Sequence, residues 1–453
     1  MALLFGLNLQ PLGFIFIISL AEMTTDTQNG SAEVNGREKL EVKSPVDIGI
    51  AVRACNPDAV PVILGNLLVA FGKVPSVHED DTRLAMLAHA RELVRALETP
   101  RETMIQHNWA QPSCQTAITT CYNAGVFAVL TDGTKSVDEI ASQLGMNREV
   151  LGPARMMKHI AAMGYIIETG ADEYAPTSFS KALTIPVIGD GYPALAGGAH
   201  VSCSKFPTYM QQMKYANPAT LQPRPYQYAF DTELDMFQYV HAHEPLGIQF
   251  DHHMGGYRQG RPSWMDANFY PVAKRLIKDM STAEDAVLLV DIGGGLGHDL
   301  GEFRAKHPDA PGRLVLQDLP NVITSIQTLD PKIERMEYDF YTEQPVKGAR
   351  AYYMHSVLHD WTDDVCEKIL QQIVGAMKRG YSRLLINENV IPDKGADWQV
   401  TALDMMMMTL FASKERTLSE WRQLLESPKI GLKIVDVWSS KHSQESLIEC
   451  ELV

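Results

Sequence analysis

Across 453 residues the sequence has little cysteine, a deficit of positive charge and no hydrophobic run long enough to span a bilayer comfortably. Six cysteines (Cys55, Cys114, Cys121, Cys203, Cys366 and Cys450) are scattered without a CxxC pair. That usage argues against a disulfide framework and fits free thiols in a reducing compartment, so a cytoplasmic location is expected. Forty basic residues against 55 acidic ones leave a net charge of -15. An acidic surface argues against DNA, RNA or anionic membrane as the main partner, because those ligands need basic patches. No internal repeat or low-complexity tract is visible. The apolar run LGFIFIISLA has the length of a signal peptide, with Ser19 and Ala21 suited to cleavage. No Lys or Arg precedes it, and Asn8, Gln10 and Pro11 interrupt its approach. With the polar stretch that opens after Met23, residues 1–44 are expected to form a disordered or dispensable leader.

What is present is enough chain for two or three domains with a sizeable core. Residues 45–100 read as N-terminal helices; in DDTRLAMLAHARELVRALETP, Asp81 can cap and Leu84, Leu87, Val94 and Leu97 share a face before Pro100 stops the helix. Residues 101–190 contain three helical patterns. The first closes on Gly125, and the second is opened by a capping box of Ser136 and Glu139 and stopped at Gly145. The third, NREVLGPARMMKHIAAMG, ends at Gly164, and YIIETGADEYAPT follows as a two-stranded hairpin. Three helices and a hairpin make a winged-helix unit. Its acids outnumber its bases, so dimerisation is expected of it rather than nucleic-acid binding. Residues 191–280 are expected to be connecting helices that line a substrate site. From 281 to 453 strands alternate with helices, implying a doubly wound, mostly parallel Rossmann-like α/β sheet. IVDVW and SLIECEL, with no helix between them, imply an antiparallel finish.

Val290 to Leu300 reads VDIGGGLGHDL after an apolar run, and glycines in such a strand–turn–helix admit a ligand close to the backbone. No GK[ST] follows, which excludes a triphosphate loop. GxGxxG also fails, since its third position is His298. An acid is expected to end each of the first three strands: Asp291, Asp318 and Asp339, the last beside Phe340. An acidic mouth repels pyrophosphate and suits a ligand carrying an amino group and a sulfonium, S-adenosylmethionine. Asp318 would take a ribose diol and Phe340 would stack on a purine.

The segments HDW, NENVIP and KERT then carry a specific resemblance, covering the chain from the helix before Pro100 to its C-terminus. They resemble the S-adenosylmethionine-dependent O-methyltransferases of the plant caffeate and flavonoid type, and more closely fungal enzymes acting on aromatic polyketides. The resemblance implies His359 as general base, flanked by Glu388 and Glu415. It also implies cofactor contacts at Gly293, Gly294, Asp318, Asp339 and Phe340, and a homodimer formed through the winged-helix part. His355, four residues before the base, stands where relatives commonly carry a basic side chain near the cofactor, and is expected to contact the cofactor there. The segment EPLGIQFDHHM implies Phe250 and Met254 against an aromatic substrate, and Met407, from the run Met405 to Met408, is assigned to the same pocket. No metal is expected. His241, His243, His252 and His253 match no common zinc spacing, and Glu415 has the plainer alternative of pairing with Arg416. A nicotinamide-dependent dehydrogenase and a non-catalytic winged-helix regulator that binds S-adenosylmethionine remain as alternatives.

Overall fold

The computed structural model describes residues 47–72, 80–152, 155–256, 262–440 and 443–453. The apolar run near the start and the expected leader, residues 1–44, lie outside the described residues. Two compact units divide between Met104 and Ile105. Among the described residues no helix is long and apolar enough to cross a membrane.

In the first unit, the helices Val60–Gly72 and Asp80–Leu97 pack against each other. One partner helix covers only one stripe, so the face carrying Leu87, Val94 and Leu97 stays exposed, as do Val62, Leu68 and Phe71. Asp81 falls inside the first turn of its helix.

The second unit begins with a small helical body around one apolar core that includes Ile118, Phe127, Ile140, Met157 and Tyr174. Helix Val137–Leu144 is opened by the expected capping box, Ser136 with Glu139, and closed by Gly145 at φ 65°. The third helical pattern is not continuous. It forms helices Arg148–Leu151 and Met156–Ala162, and Gly152 between them is extended at φ -143°. Pro153 explains the break, because proline disfavours helical backbone in the residue before it. The hairpin of β2 (Ile166–Gly170) and β3 (Glu173–Pro176) gains a third strand, β1 (Lys135–Ser136), giving the antiparallel order β1-β3-β2.

Helices Gly191–Gly198, His200–Gln212, Pro225–Phe230, Met236–Ala242 and Leu246–Gly256 lead to the main sheet. Its strands are β4 (Val287–Ile292), β5 (Arg313–Asp318), β6 (Ile333–Glu337), β7 (Ala351–His355), β8 (Arg383–Ile391), β9 (Arg416–Thr417), β10 (Leu432–Ser439) and β11 (Glu445–Leu452). The order is β10-β11-β8-β7-β4-β5-β6, with β9 beside β8. Strands β4 to β8 pair in parallel, whereas β11 runs antiparallel to both β8 and β10. Alternation along a strand fills both faces. Tyr352 and Met354 of β7 join a core with Ile369, Ile373 and Trp421, while Ala351 and Tyr353 join Leu300, Phe303 and Trp264. From β4 the chain moves outward to β5 and β6, then returns to the other side at β7. The carboxyl ends of β4 and β7 therefore flank the crevice where doubly wound sheets hold ligands.

Candidate active site

Every residue of β4 is buried, and the strand ends in a loop with Gly293, Gly295 and Gly297 at φ 71°, 57° and 82°. A side chain at Gly294 would come within 2.5 Å of Asp291 and Leu316, so only glycine fits there, whereas the position above Gly295 is open. The loop is hung from β5. The carbonyl of Gln317 accepts the N–H groups of Gly293 (2.8 Å) and Gly294 (3.2 Å). Asp318 Oδ2 accepts Gly295 N–H at 2.8 Å, and Oδ1 accepts Leu319 N–H at 2.7 Å. Burial raises the Asp318 pKa, and the two backbone donors oppose that rise. Each carboxylate oxygen keeps a lone pair for a hydroxyl donor. Beyond β6, Asp339 is exposed and turns its own loop by accepting Tyr341 N–H at 2.9 Å. Phe340 is half-buried, edge-on to Trp361 with ring centres 6.0 Å apart. The open glycine loop, a diol-accepting carboxylate and an aromatic face fit S-adenosylmethionine.

His355 is less free than its neighbours. Its Nδ1 lies 2.8 Å from Asp299 Oδ2 and its Nε2 lies 3.3 Å from Glu445 Oε1. Since Asp299 belongs to helix His298–Lys306, which follows the glycine loop, His355 ties that helix to β7 and β11.

After β7 the backbone bends sharply at Ser356, which has φ 50° and donates its N–H to Asn387 O. That bend starts the short turn Leu358–Asp360 and buries His359 beneath the crevice. Two glutamates meet it in different ways. Glu415 Oε1 stands 2.7 Å from His359 Nδ1. Glu388, fully buried in β8, grips the turn itself: its Oε1 accepts the N–H groups of Val357 (3.0 Å) and Leu358 (2.8 Å). Its other oxygen is 3.7 Å from His359 Nδ1. A carboxylate can only accept, so Nδ1 donates to Glu415 and Nε2 is left as the basic atom. Burial opposes charge on this imidazole, but Glu388, Asp360 and Glu415 outweigh it and push the His359 pKa up to about 10. Burial likewise raises Glu388, and lifts Asp360 to about 7 against the pull of His359.

Several supporting residues escaped the sequence reading. Asp360 Oδ1 lies 3.6 Å from His359 Nε2. The Ser413 hydroxyl donates to the carbonyls of His359 (2.5 Å) and Trp361 (2.8 Å). Arg416 does not pair with Glu415. Its guanidinium donates to the carbonyls of Leu358 (3.0 Å) and Trp361 (2.9 Å) and to Asp363 (2.9 Å). The adjacency of Asp360 to His359, and of Ser413 and Arg416 to Glu415, was the available signal, yet carbonyl partners leave no trace in a sequence. Among the described residues, His359, Glu388 and Glu415 also form a donor set compact enough for a metal ion, their ligand atoms lying within 4.8 Å of one another. The four histidines 241, 243, 252 and 253 do not converge: His241 pairs with Asp251, His252 with Asp190, and His243 with the Tyr239 carbonyl.

Of the residues assigned to substrate, Phe250 and Met407 meet in one apolar cluster with Phe237 and Phe411. The Phe237 ring lies 6.1 Å from Phe250 and 5.2 Å from Phe411. Met254, one turn beyond Phe250, is 43% exposed and lies outside that cluster.

Comparison with known proteins agrees with this geometry. A family model for the O-methyltransferase domain matches residues 222–429. The chain is 35% identical over 400 residues to the O-methyltransferase mpaG of Penicillium brevicompactum, covering 87% of this chain and 99% of that one. This chain is an S-adenosylmethionine-dependent O-methyltransferase and belongs to that family. Demethylsterigmatocystin 6-O-methyltransferase of Aspergillus parasiticus is 35% identical over 322 residues, 70% of this chain and 80% of its own length. The solved structure of LepI in complex with S-adenosylmethionine superposes with TM-score 0.77 at 28% identity, covering 87% of this O-methyltransferase and 99% of LepI. With the methyl donor established, the nicotinamide alternative falls, in keeping with the failed GxGxxG pattern.

Proposed function

We propose that the O-methyltransferase methylates a phenolic hydroxyl of a small aromatic polyketide, with His359 as the general base. The carrying observation is the buried pair of His359 Nδ1 and Glu415 Oε1 at 2.7 Å, which aims a basic Nε2 away from the carboxylate. A phenol, with a pKa of ~10, is a poor nucleophile until a base takes its proton. A His359 pKa of about 10 matches that phenol, so the transfer costs little. Bound S-adenosylmethionine supplies an activated methyl group. Glu415 fixes the imidazole's tautomer and stabilises the imidazolium; Glu388 holds the turn that carries it. Asp318 takes the ribose diol, Phe340 stacks on the purine beside Asp339, and Gly293 and Gly294 leave room for the rest. His355 steadies the helix after the glycine loop. Phe250 and Met407 form an apolar wall suited to a flat ring, with Met254 at its outer edge.

Residues 101–190 serve as a winged-helix dimerisation domain in this reading. Exposed Leu87, Val94 and Leu97 in the first unit, together with the acidic surface, favour a second copy over nucleic acid as the partner. The decisive experiment incubates the protein with isotopically labelled S-adenosylmethionine and a panel of phenolic polyketides. Mass spectrometry should find the labelled methyl on a phenolic oxygen. Transfer only to aliphatic alcohols, or none across the panel, would reject the substrate class.

A further inference from the structure

Asp318 and Asp339–Phe340 lie at the ends of neighbouring strands, joined by the backbone bond of Tyr338 N–H to Asp318 O, while the side-chain bonds of Asp318 and Asp339 do not reach each other's loop. Between them lies a buried polar contact unconnected to the reacting atoms. Gln317, the residue before Asp318, and Gln344, a few residues after Phe340, are both fully buried. Their amides face each other reciprocally: Gln317 Nε2 donates to Gln344 Oε1 at 2.9 Å, and Gln344 Nε2 donates to Gln317 Oε1 at 2.8 Å. Gln344 Oε1 also accepts Val346 N–H at 3.0 Å. Residues 341, 342, 343 and 345 around it are exposed, so Gln344 is the inward anchor of that loop.

We propose that Gln317 and Gln344 are positioning residues that lock the diol-binding and purine-binding loops of the cofactor site to each other and to the glycine loop. This rests on the cofactor roles proposed above for Asp318, Asp339 and Phe340. Gln317 serves two attachments, and its neighbour Asp318 adds others. Its carbonyl holds Gly293 and Gly294, its side chain holds the Asp339 loop through Gln344, and its neighbour Asp318 takes Gly295 N–H and offers its own carbonyl to Tyr338 N–H at 2.8 Å. An apolar pair would fill the same space with no unmade bond to risk. Two reciprocal amide bonds add what apolar packing lacks, a fixed direction and spacing. A cofactor that must touch both loops is thereby met by a preset gap, and the cost of aligning them is not charged to binding.

The test compares S-adenosylhomocysteine affinity by calorimetry with steady-state kinetics in the full chain. In Gln344→Met the Gln317 amide keeps only the Met336 sulfur beside its Nε2 and loses the partner of its Oε1, and the dissociation constant and the cofactor KM should rise about tenfold. The kcat at saturating S-adenosylmethionine should stay near wild type. Gln317→Met/Gln344→Met leaves no orphaned side-chain amide, only the Val346 N–H without its acceptor, so its melting temperature should recover most of the loss while its affinity stays weak. Full recovery of affinity along with melting temperature would mean that the pair only stabilises, and the proposal falls. Gln344→Glu covers the case in which the single methionine variant does not fold. Its neutral acid can donate to Gln317 Oε1, whereas its carboxylate cannot. The ratio of its dissociation constant to that of the wild type should therefore grow as pH rises, and a constant ratio overturns the proposal. Asp318→Ala runs alongside. If it leaves affinity unchanged, the cofactor reading fails and this inference with it; if it weakens binding and the glutamine variants do not, only this inference fails.

Discussion

Replacing His359 with glutamine removes the one basic nitrogen at the centre of the site and leaves its surroundings nearly intact. The glycine loop, Gln317 and Asp318 make no bond to His359, so S-adenosylhomocysteine affinity should stay near wild type. What changes is the proton acceptor. The nearest remaining acceptor is the Asp360 carboxylate, 3.6 Å from the position of Nε2. A positioned general base typically contributes ~10²–10⁴-fold, so the rate should fall by about 10³-fold. The barrier rises by roughly 4 kcal/mol, at ~1.36 kcal/mol per tenfold. Single-turnover methylation of a phenol of ordinary acidity measures this directly. An acidic phenol, already ionised at the assay pH, should recover part of the loss, because it needs no base. Glu388→Gln and Glu415→Gln should each cost less. The amide that replaces the Glu388 carboxylate can still present an oxygen to both backbone donors, and Glu415 orients the ring and steadies its charge without taking the proton. If His359→Gln methylates the ordinary phenol at the wild-type rate with chemistry limiting, His359 is not the base.

Because the base works unprotonated, and its carboxylate neighbours raise its pKa, the methylation rate should climb as pH rises toward about 10. The ratio of wild-type to His359→Gln rates for one phenol of ordinary acidity cancels the substrate's own ionisation, and a limb of that ratio centred near ~6.5, the free imidazole value, would refute the raised pKa. Asp318→Ala removes charge-assisted acceptors for the ribose hydroxyls and should weaken S-adenosylhomocysteine binding at least tenfold, roughly 1.4 kcal/mol, with the fold preserved by circular dichroism. Unchanged calorimetric affinity in a folded variant would remove Asp318 from the site. The protein should sediment as a homodimer at micromolar concentration, its exposed apolar helix faces covered; a monomer there would refute the dimer.

The parts of this molecule that were legible beforehand are those written in local chemistry. Alternating and fully apolar strands gave β4 to β8, Ser136 with Glu139 announced a helix start, and the missing lysine after the glycines turned the loop away from triphosphates. His359, Glu388 and Glu415 were named from short motifs, and the fold brings all three together. Their division of labour was not visible, because Glu388 acts on backbone N–H groups and any sequence supplies those. Pro153 was in plain view, yet the helical periodicity on either side of it hid the break at Gly152. The plainer alternative for Glu415, a pair with the adjacent Arg416, is not formed: the carbonyls of Leu358 and Trp361 and the carboxylate of Asp363 hold Arg416 elsewhere.

The position of β11 has a consequence for how the protein is made. It lies between β8 and β10, so β10 has no edge to join until β11, which follows it in the chain, is in place. Glu445, at the start of β11, also meets His355 beside the cofactor crevice. During synthesis at ~5–20 residues per second, β4 to β8 emerge first, and the edge of β8 waits unpaired for a strand more than fifty residues later. Exposed edges of that kind invite pairing with other chains. A nascent chain stalled before Glu445 would thus carry His359 and the glycine loop yet remain prone to aggregation.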